Sequence, residues 1–527
     1  MTTPASATVW PALVQAALLG TERAGATSWR TASAHADAAT FLSRLPDSDA
    51  ERALLGAAAL LGAYTRAGRL PERAGEAAVD AAPADADDLP VAAAGVVRFL
   101  STMLAGAERE VLPEWLARAA AKGWRVPPLT LPALLTLGTQ APPLRPYVAP
   151  TLGARGRWLA ARNADWGWAA RGDARLDAGA LRAAWDTGTP DERAAVLEQV
   201  RRSDPALGRA LVESTWSAEA PPQRAAFVAR LREGLGPDDE AFLEQALDDR
   251  RQEVRRAAAA LLARLPGSQL GARMRERARA ALSFVPGGTL RRARLAALPP
   301  RDHDAAAGRD GIEKSPPAGS GMGERAWWLA QMLAAVPPRE WSAEWGAEPA
   351  ALVRLARDHD WEPSLVDGWA AAAVRHRDAG WAEALLRADV PAERVSPITP
   401  TRAELLDVLD PARREALIVD VLRARPADHA GAELVAAATH AWSEPFARTV
   451  LAWLVRRAAA PAAQGVGDWH LLTLLPQLAL RVPATLATVA AEGWPTDAPQ
   501  WAAWARPVER FVALLTFRRE LSEEFDR

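Results

Sequence analysis

The sequence predicts an all-α protein, built as a HEAT-like helical repeat array (an α-solenoid) with flanking irregular helical regions. Three observations predict it. Apolar residues recur at helical spacing along most of the chain, most clearly in RQEVRRAAAALLARL at 251–265. An alanine-rich phrase echoes at a period in the thirties. No segment alternates apolar and polar residues between hairpin-turn signals as a half-buried strand does.

Residues 1–185 read as an N-terminal helical region with proline-rich breaks near 127–150. Residues 186–282 read as the repeat array. There AAVLEQV begins at Ala194, AAFVARL at Ala225 and AALLARL at Ala259, spaced by 31 and 34 residues. Such spacing marks stacked helix–turn–helix units. Within 251–265, Val254, Ala258, Leu261, Leu262 and Leu265 share one helix face, and Arg255, Arg256 and Arg264 lie largely off it. Pro266-Gly267-Ser268 ends that helix. The preceding GPDDEAFLEQALDDR opens on Asp238, Asp239 and Glu240, whose charges suit a helix N-terminus, and presents Phe242, Leu243, Ala246 and Leu247 as its apolar face. Residues 283–325 read as a Pro/Gly-rich loop segment: VPGG, LPPRDHD, then GRDGIEKSPPAGSGMG. Residues 326–527 read as a C-terminal helical region with breaks at 337–338, 390–401, 425–431 and 461–468.

Composition narrows the chemistry. The 527 residues contain no cysteine, which removes disulfides, thiolate metal sites and cysteine nucleophiles. No basic stretch precedes the apolar run from Ala12 to Gly20, and that run is too short to span a bilayer. The expectation is a soluble, cytoplasmic protein. With 63 basic and 65 acidic residues, the net charge of −2 lacks the basic excess of a strong nucleic-acid binder. Lys122 and Lys314 are the only lysines, and this arginine bias with abundant alanine matches a GC-rich bacterial coding sequence. The 22 tryptophans against two tyrosines are the anomaly. Indoles fill gaps between alanine-rich helices; they also form binding hot spots together with arginine.

Several stretches have the residue types of a site. In GSGMG, Gly319, Gly321 and Gly323 alternate, with Lys314 upstream and Glu324-Arg325 downstream. A phosphate-binding loop needs different glycine spacing, a preceding strand and a lysine after the glycines. The segment therefore reads as a loop docking onto the helix that holds Trp327 and Trp328. RDHD occurs at Arg301–Asp304 and again at Arg357–Asp360, pairing His with Asp but without metal-ligand spacing. Nucleophile motifs are absent. GARGRWLAARNADWGWA at 153–169 concentrates Arg155, Arg157, Trp158 and Arg162, a set that can stack on bases and grip phosphates.

Taken together, WPALVQAALLGTER, GARGRWLAARNADWGWA, FLEQALDDRRQEVRRAAAALLARLP and DGIEKSPPAGSGMGERAWWLAQMLAAVPPREW are similar to segments of a bacterial family catalogued only as a domain of unknown function. The resemblance covers nearly the whole chain. It implies gene neighbours of three kinds: a SWIM zinc-finger protein, a MoxR-type AAA+ ATPase and a von Willebrand factor A-type protein. No catalytic residue, cofactor or metal is carried over with it. The expected function is a non-enzymatic scaffold or adaptor, accessory to such an ATPase system, with a protein as partner. The expected partner surface combines Arg255, Arg256, Lys314, Gly319, Gly321, Gly323, Arg325, Trp327 and Trp328. The alternative is a nucleic-acid-binding protein using Arg155, Arg157, Trp158 and Arg162. A third possibility is a metal- or nucleotide-dependent enzyme.

Overall fold

The computed structural model describes residues 6–21, 40, 42–45, 48–67, 82–87, 89–170, 178–289, 291–389, 398–425, 429–460 and 469–527. These residues are mostly helical. The break expected at 461–468, and parts of those at 390–401 and 425–431, lie outside the described residues. Residues up to Ala84 form one compact unit and residues from Asp85 onward a second. In the first, helices Ser6–Leu19 and Ala50–Ala67 pack around Leu13, Ala16, Ala53, Ala57 and Leu61.

The second unit shares one core, running from Ala92 to Phe525. Many of its helices start with proline in the first turn, among them Pro190–Ser203, Pro205–Thr215, Pro221–Arg230, Pro349–Arg357 and Pro411–Ala424. An N–H is not needed there, and the fixed φ suits the helix. This accounts for how so proline-rich a chain stays helical. The three echoed phrases fall mostly on Pro190–Ser203, Pro221–Arg230 and Gln252–Leu262, and the second of these helices touches both others. Pro205–Thr215 packs on the first, and Glu240–Ala246 and Gln269–Ala281 pack on the third. Val254, Ala258, Leu261, Leu262 and Leu265 are all buried, as the apolar stripe requires, and so are Phe242, Leu243, Ala246 and Leu247.

At the centre, helices Glu324–Ala335 and Glu362–Arg375 are buried on nearly all sides. Small residues allow their close approach. A Cβ at Gly368 would stand 2.7 Å from the Leu333 Cβ and 2.8 Å from the Ala330 carbonyl oxygen. Gly368→Ala is therefore expected to destabilise the protein by about 1–3 kcal/mol through overpacking, read in a denaturant melt. Tryptophans fill the remaining volume: Trp115, Trp185, Trp327, Trp341, Trp369, Trp381, Trp453 and Trp504 are fully buried.

Two features depart from the sequence expectation. Residues 283–325, read as loop, contain an antiparallel hairpin of Leu282–Val285 with Arg294–Ala297, and a short helix, Ala305–Arg309. Four-residue strands are too short to display alternation, and here the first continues directly from helix Gln269–Ala281. The long C-terminal helix Trp501–Asp526 also returns to the start of the unit. Phe517 meets Phe99 edge-on at 5.1 Å, Phe525 stacks on Trp124, and Arg518 pairs with Glu114 at 2.6 Å. The first and last helices of this unit are thus joined, unlike those of an open stack in which each repeat meets only its neighbours.

Candidate functional site

Asp304 starts the region of interest. Its Oδ1 accepts from the Ala307 N–H at 2.6 Å and caps the Ala305–Arg309 helix. Asp310 follows, 2% exposed, and carries the heaviest bonding load of the segment. Its carboxylate accepts from Arg273 Nη2 at 2.8 Å and from Arg277 Nη1 at 2.5 Å. Arg273 also pairs with Glu244 at 3.1 Å, and Arg309 with Asp248 at 2.7 Å. Burial pulls the Arg273 pKa down, but Asp310 and Glu244 outweigh it and hold the value above the ordinary one. Gly311 has φ +84° and no room for a side chain, since a Cβ would lie 2.7 Å from the Ala259 Cβ. Residues 304–311 are thereby zipped onto the array. Asp310→Ala leaves Arg273 and Arg277 without this partner. Amide exchange across 304–314 is expected to accelerate at least tenfold, read by hydrogen-exchange mass spectrometry.

The chain then docks on the central helix. The Glu313 N–H donates to Gln331 Oε1 at 2.8 Å, Gln331 Nε2 donates back to the Glu313 carbonyl at 3.1 Å, and Trp328 Nε1 donates to the Lys314 carbonyl at 2.8 Å. Arg255 donates to the Gly308 carbonyl at 3.1 Å, and Arg256 pairs with Glu313 at 3.0 Å. Both arginines thus hold the segment in place, and Arg256 stays largely exposed. The Lys314 side chain is exposed. Gly319 and Gly321 take left-handed backbone, φ +81° and +64°, which explains glycine at both. Gly323 sits at the helix N-cap with Glu324 in the first turn. This loop rims an open cleft of about 880 Å³, shared with Arg325, Trp361 and Ser364. Arg325 anchors it by donating to the carbonyls of Pro299 and Pro300.

The structure corrects the place of the two tryptophans. Trp327 and Trp328 are 1% and 3% exposed, so they belong to the core and not to an exposed partner surface. Past its first turn their helix is apolar on nearly every side except at Gln331, and that pattern belongs to a buried helix.

The other predicted residues are dispersed. On helix Gly153–Ala160, Arg155 and Arg157 are exposed, Trp158 is half-buried, and Arg162 stacks over Trp158 at 3.9 Å. The Asp87 carboxylate accepts from the Ala154 and Arg155 N–H groups at the start of this helix, occupying the place where a phosphate could otherwise bind. Both RDHD motifs serve local structure. The His303 ring bonds the Ile312 carbonyl through Nε2 at 2.8 Å, and His359 Nδ1 accepts from the Trp361 N–H at 3.1 Å. Among the described residues no group of three or more His, Asp or Glu is placed to hold a metal ion.

Apart from Arg256, sequence reasoning missed a set of arginines beside this segment. Arg256, Asp310, Trp327 and Arg375 line a cavity of about 450 Å³ between the array and the central helix. Next to it, a second cleft of about 500 Å³ is lined by Arg202, Arg230, Arg232 and Arg264. Ala260 lines both, so they adjoin. Arg375 donates to the Ala334 carbonyl. Burial first, and the Arg264 charge second, push its pKa down to about 10. His376 beside it is pushed down to about 4, by burial and then by Arg375. No motif announces these groups; they meet because the ends of the echoed helices and of helix Glu362–Arg375 come together at these clefts.

The family described as Family of unknown function (DUF5691) matches residues 12–525. The chain belongs to this family. No curated protein and no solved structure matches it. The family span takes in the zipped segment, the glycine-rimmed cleft and both arginine-lined clefts. Among the described residues, no helix is long and apolar enough to cross a membrane.

Proposed function

We propose that this protein is a non-enzymatic scaffold or adaptor of the bacterial cytoplasm, built on HEAT-like helix pairs, that serves a MoxR-type AAA+ ATPase and von Willebrand factor A-type system. The observation that carries this reading is the side-by-side packing of the helices bearing the echoed phrases. Two adjoining clefts lie along these helices, and stacked helix pairs use such concave faces to hold partners. The partner surface is these clefts together with the exposed Gly319–Gly323 rim and Arg325. The ATPase and von Willebrand-type partners rest on the gene company that the family resemblance implies.

Co-purification of the chromosomally tagged protein, read by mass spectrometry, tests the proposal. Recovery of an AAA+ ATPase or a von Willebrand-type protein is expected. Absence of any specific protein partner overturns it. A second reading, nucleic-acid binding, is favoured by one observation: Arg162 stacked on Trp158 beside the exposed Arg155 and Arg157. It requires binding that weakens steeply with salt and is lost in Arg155→Ala/Arg157→Ala, read by fluorescence anisotropy with a labelled oligonucleotide.

A further inference from the structure

Many arginines in this protein are paired with carboxylates, as Arg193 is with Glu219, Arg224 with Asp249 and Arg275 with Glu340. Arg230 and Arg256, paired with Glu198 and Glu313, belong to that group, but they share the two adjoining clefts with arginines that do not. Arg202, Arg232, Arg264 and Arg375 line them, and none of the four has a carboxylate partner among the described residues. They come from the C-terminal ends of four helices, or the turns just after them: the three echoed helices Pro190–Ser203, Pro221–Arg230 and Gln252–Leu262, and the central helix Glu362–Arg375. Three of these charges oppose one another, Arg232 against Arg264 and Arg264 against Arg375. Burial and then Arg232 lower the Arg264 pKa, and burial and then Arg264 lower that of Arg375. Like charges held together in a cleft are a standing electrostatic cost that an incoming anion relieves.

We propose, on the scaffold reading above, that this groove receives an extended acidic segment of the partner protein, its carboxylates meeting Arg202, Arg232, Arg264 and Arg375 in turn. Three properties select a peptide over a nucleic acid. Glu198 and Glu233 line the same cleft and would oppose a continuous row of phosphates, whereas a peptide can place neutral residues opposite them. The net charge of −2 supplies no long-range attraction for a polyanion. The adjoining cavity is walled by Leu270, Met274, Ile312 and Ile398, a place for an apolar side chain. Spacing sets the register. Packed helices stand about 8–10 Å apart, and an extended chain advances about 3.3 Å per residue. Acidic residues about three apart, with an apolar residue at one end, match the groove.

The test selects short random peptides displayed on phage against the full-length protein and measures the winners by fluorescence anisotropy. Enrichment of Asp and Glu at spacings of about three residues is expected. Binding of those peptides should weaken by about tenfold or more in Arg232→Glu/Arg264→Glu, and Glu→Gln peptides should lose it likewise. Both substituted arginines are exposed, so the variant should melt with the wild type. Arg264→Lys, which keeps the charge, should retain most of the affinity and covers the case of a misfolded double variant. Selected peptides without acidic enrichment overturn the proposal, as does equal affinity for the charge-reversed protein. So does arginine-dependent binding of an oligothymidine in preference to the peptides. Co-purification separates this proposal from the scaffold reading. Partners retained by the charge-reversed protein sink the groove and leave the scaffold standing; partners absent from the wild type sink the scaffold itself.

Discussion

Replacing Trp327 by alanine is expected to lower folding stability by about 3–5 kcal/mol, the cost of removing a large aromatic from a packed core. Trp327 is 1% exposed on a helix that buries Trp328, Leu329, Ala330, Met332 and Leu333 as well. The neighbouring helix approaches closely at Gly368, so the site has little freedom to collapse around the lost volume. Trp328→Ala should cost a comparable amount for an added reason: it leaves the Lys314 carbonyl without its indole donor. Chemical denaturation gives the measurement, with Trp327→Phe as the milder control. A near-neutral melt for Trp327→Ala, combined with lost partner binding, would return the indole to the partner surface. The expected result also means that neither tryptophan can serve as an interface probe, because its removal weakens binding through the fold.

The legible part of the fold was whatever repeats locally. The stripe from Val254 to Leu265 is set by helical periodicity, and all five of its residues are buried. The echo at Ala194, Ala225 and Ala259 is set by composition, and its helices do adjoin. What the sequence could not show was long-range partnership. Asp239 reads as one of three acids at a helix start, yet its partner is Arg201, thirty-eight residues earlier. Asp310 reads as a turn residue after Arg309, yet Arg273 and Arg277 make it an anchor. The junction of Phe525 with Trp124 spans nearly the whole unit and leaves no local trace. Tryptophan was ambiguous for a physical reason: one side chain suits both cores and interfaces, and only its surroundings decide. The same holds for arginine. Arg255 and Arg256 look like a solvated face and are fasteners, while Arg232 and Arg264 look no different and have no carboxylate partner among the described residues.

Asp239→Ala is expected to cost about 3–5 kcal/mol, because it strands a buried guanidinium. Arg201 is fully buried, and all of its N–H groups are engaged. Nε donates to the Glu233 carbonyl at 2.7 Å, Nη1 to the Pro205 carbonyl at 2.7 Å and Asp239 Oδ1 at 3.0 Å, and Nη2 to the Leu231 carbonyl at 2.8 Å and Asp239 Oδ2 at 2.8 Å. One side chain thus ties the ends of three successive helices together. Lysine cannot reproduce that fork, so Arg201→Lys should be nearly as damaging as Arg201→Ala. The double variant Arg201→Ala/Asp239→Ala should lose less than the two single losses added, since neither partner is then left charged and alone. Acid provides an independent check. Burial works to raise the Asp239 pKa, but the Arg201 guanidinium, the Gly236 N–H and Arg209 outweigh it and hold it below the ordinary value. A carboxylate depressed in the folded state contributes its full stability above the unfolded pKa of about 3.9 and loses it as pH falls through the folded value. The stability gap between wild type and Asp239→Asn should therefore be constant from neutrality down to about pH 4 and close below it. A gap that instead persists unchanged into strong acid would show that packing, not charge pairing, makes this junction.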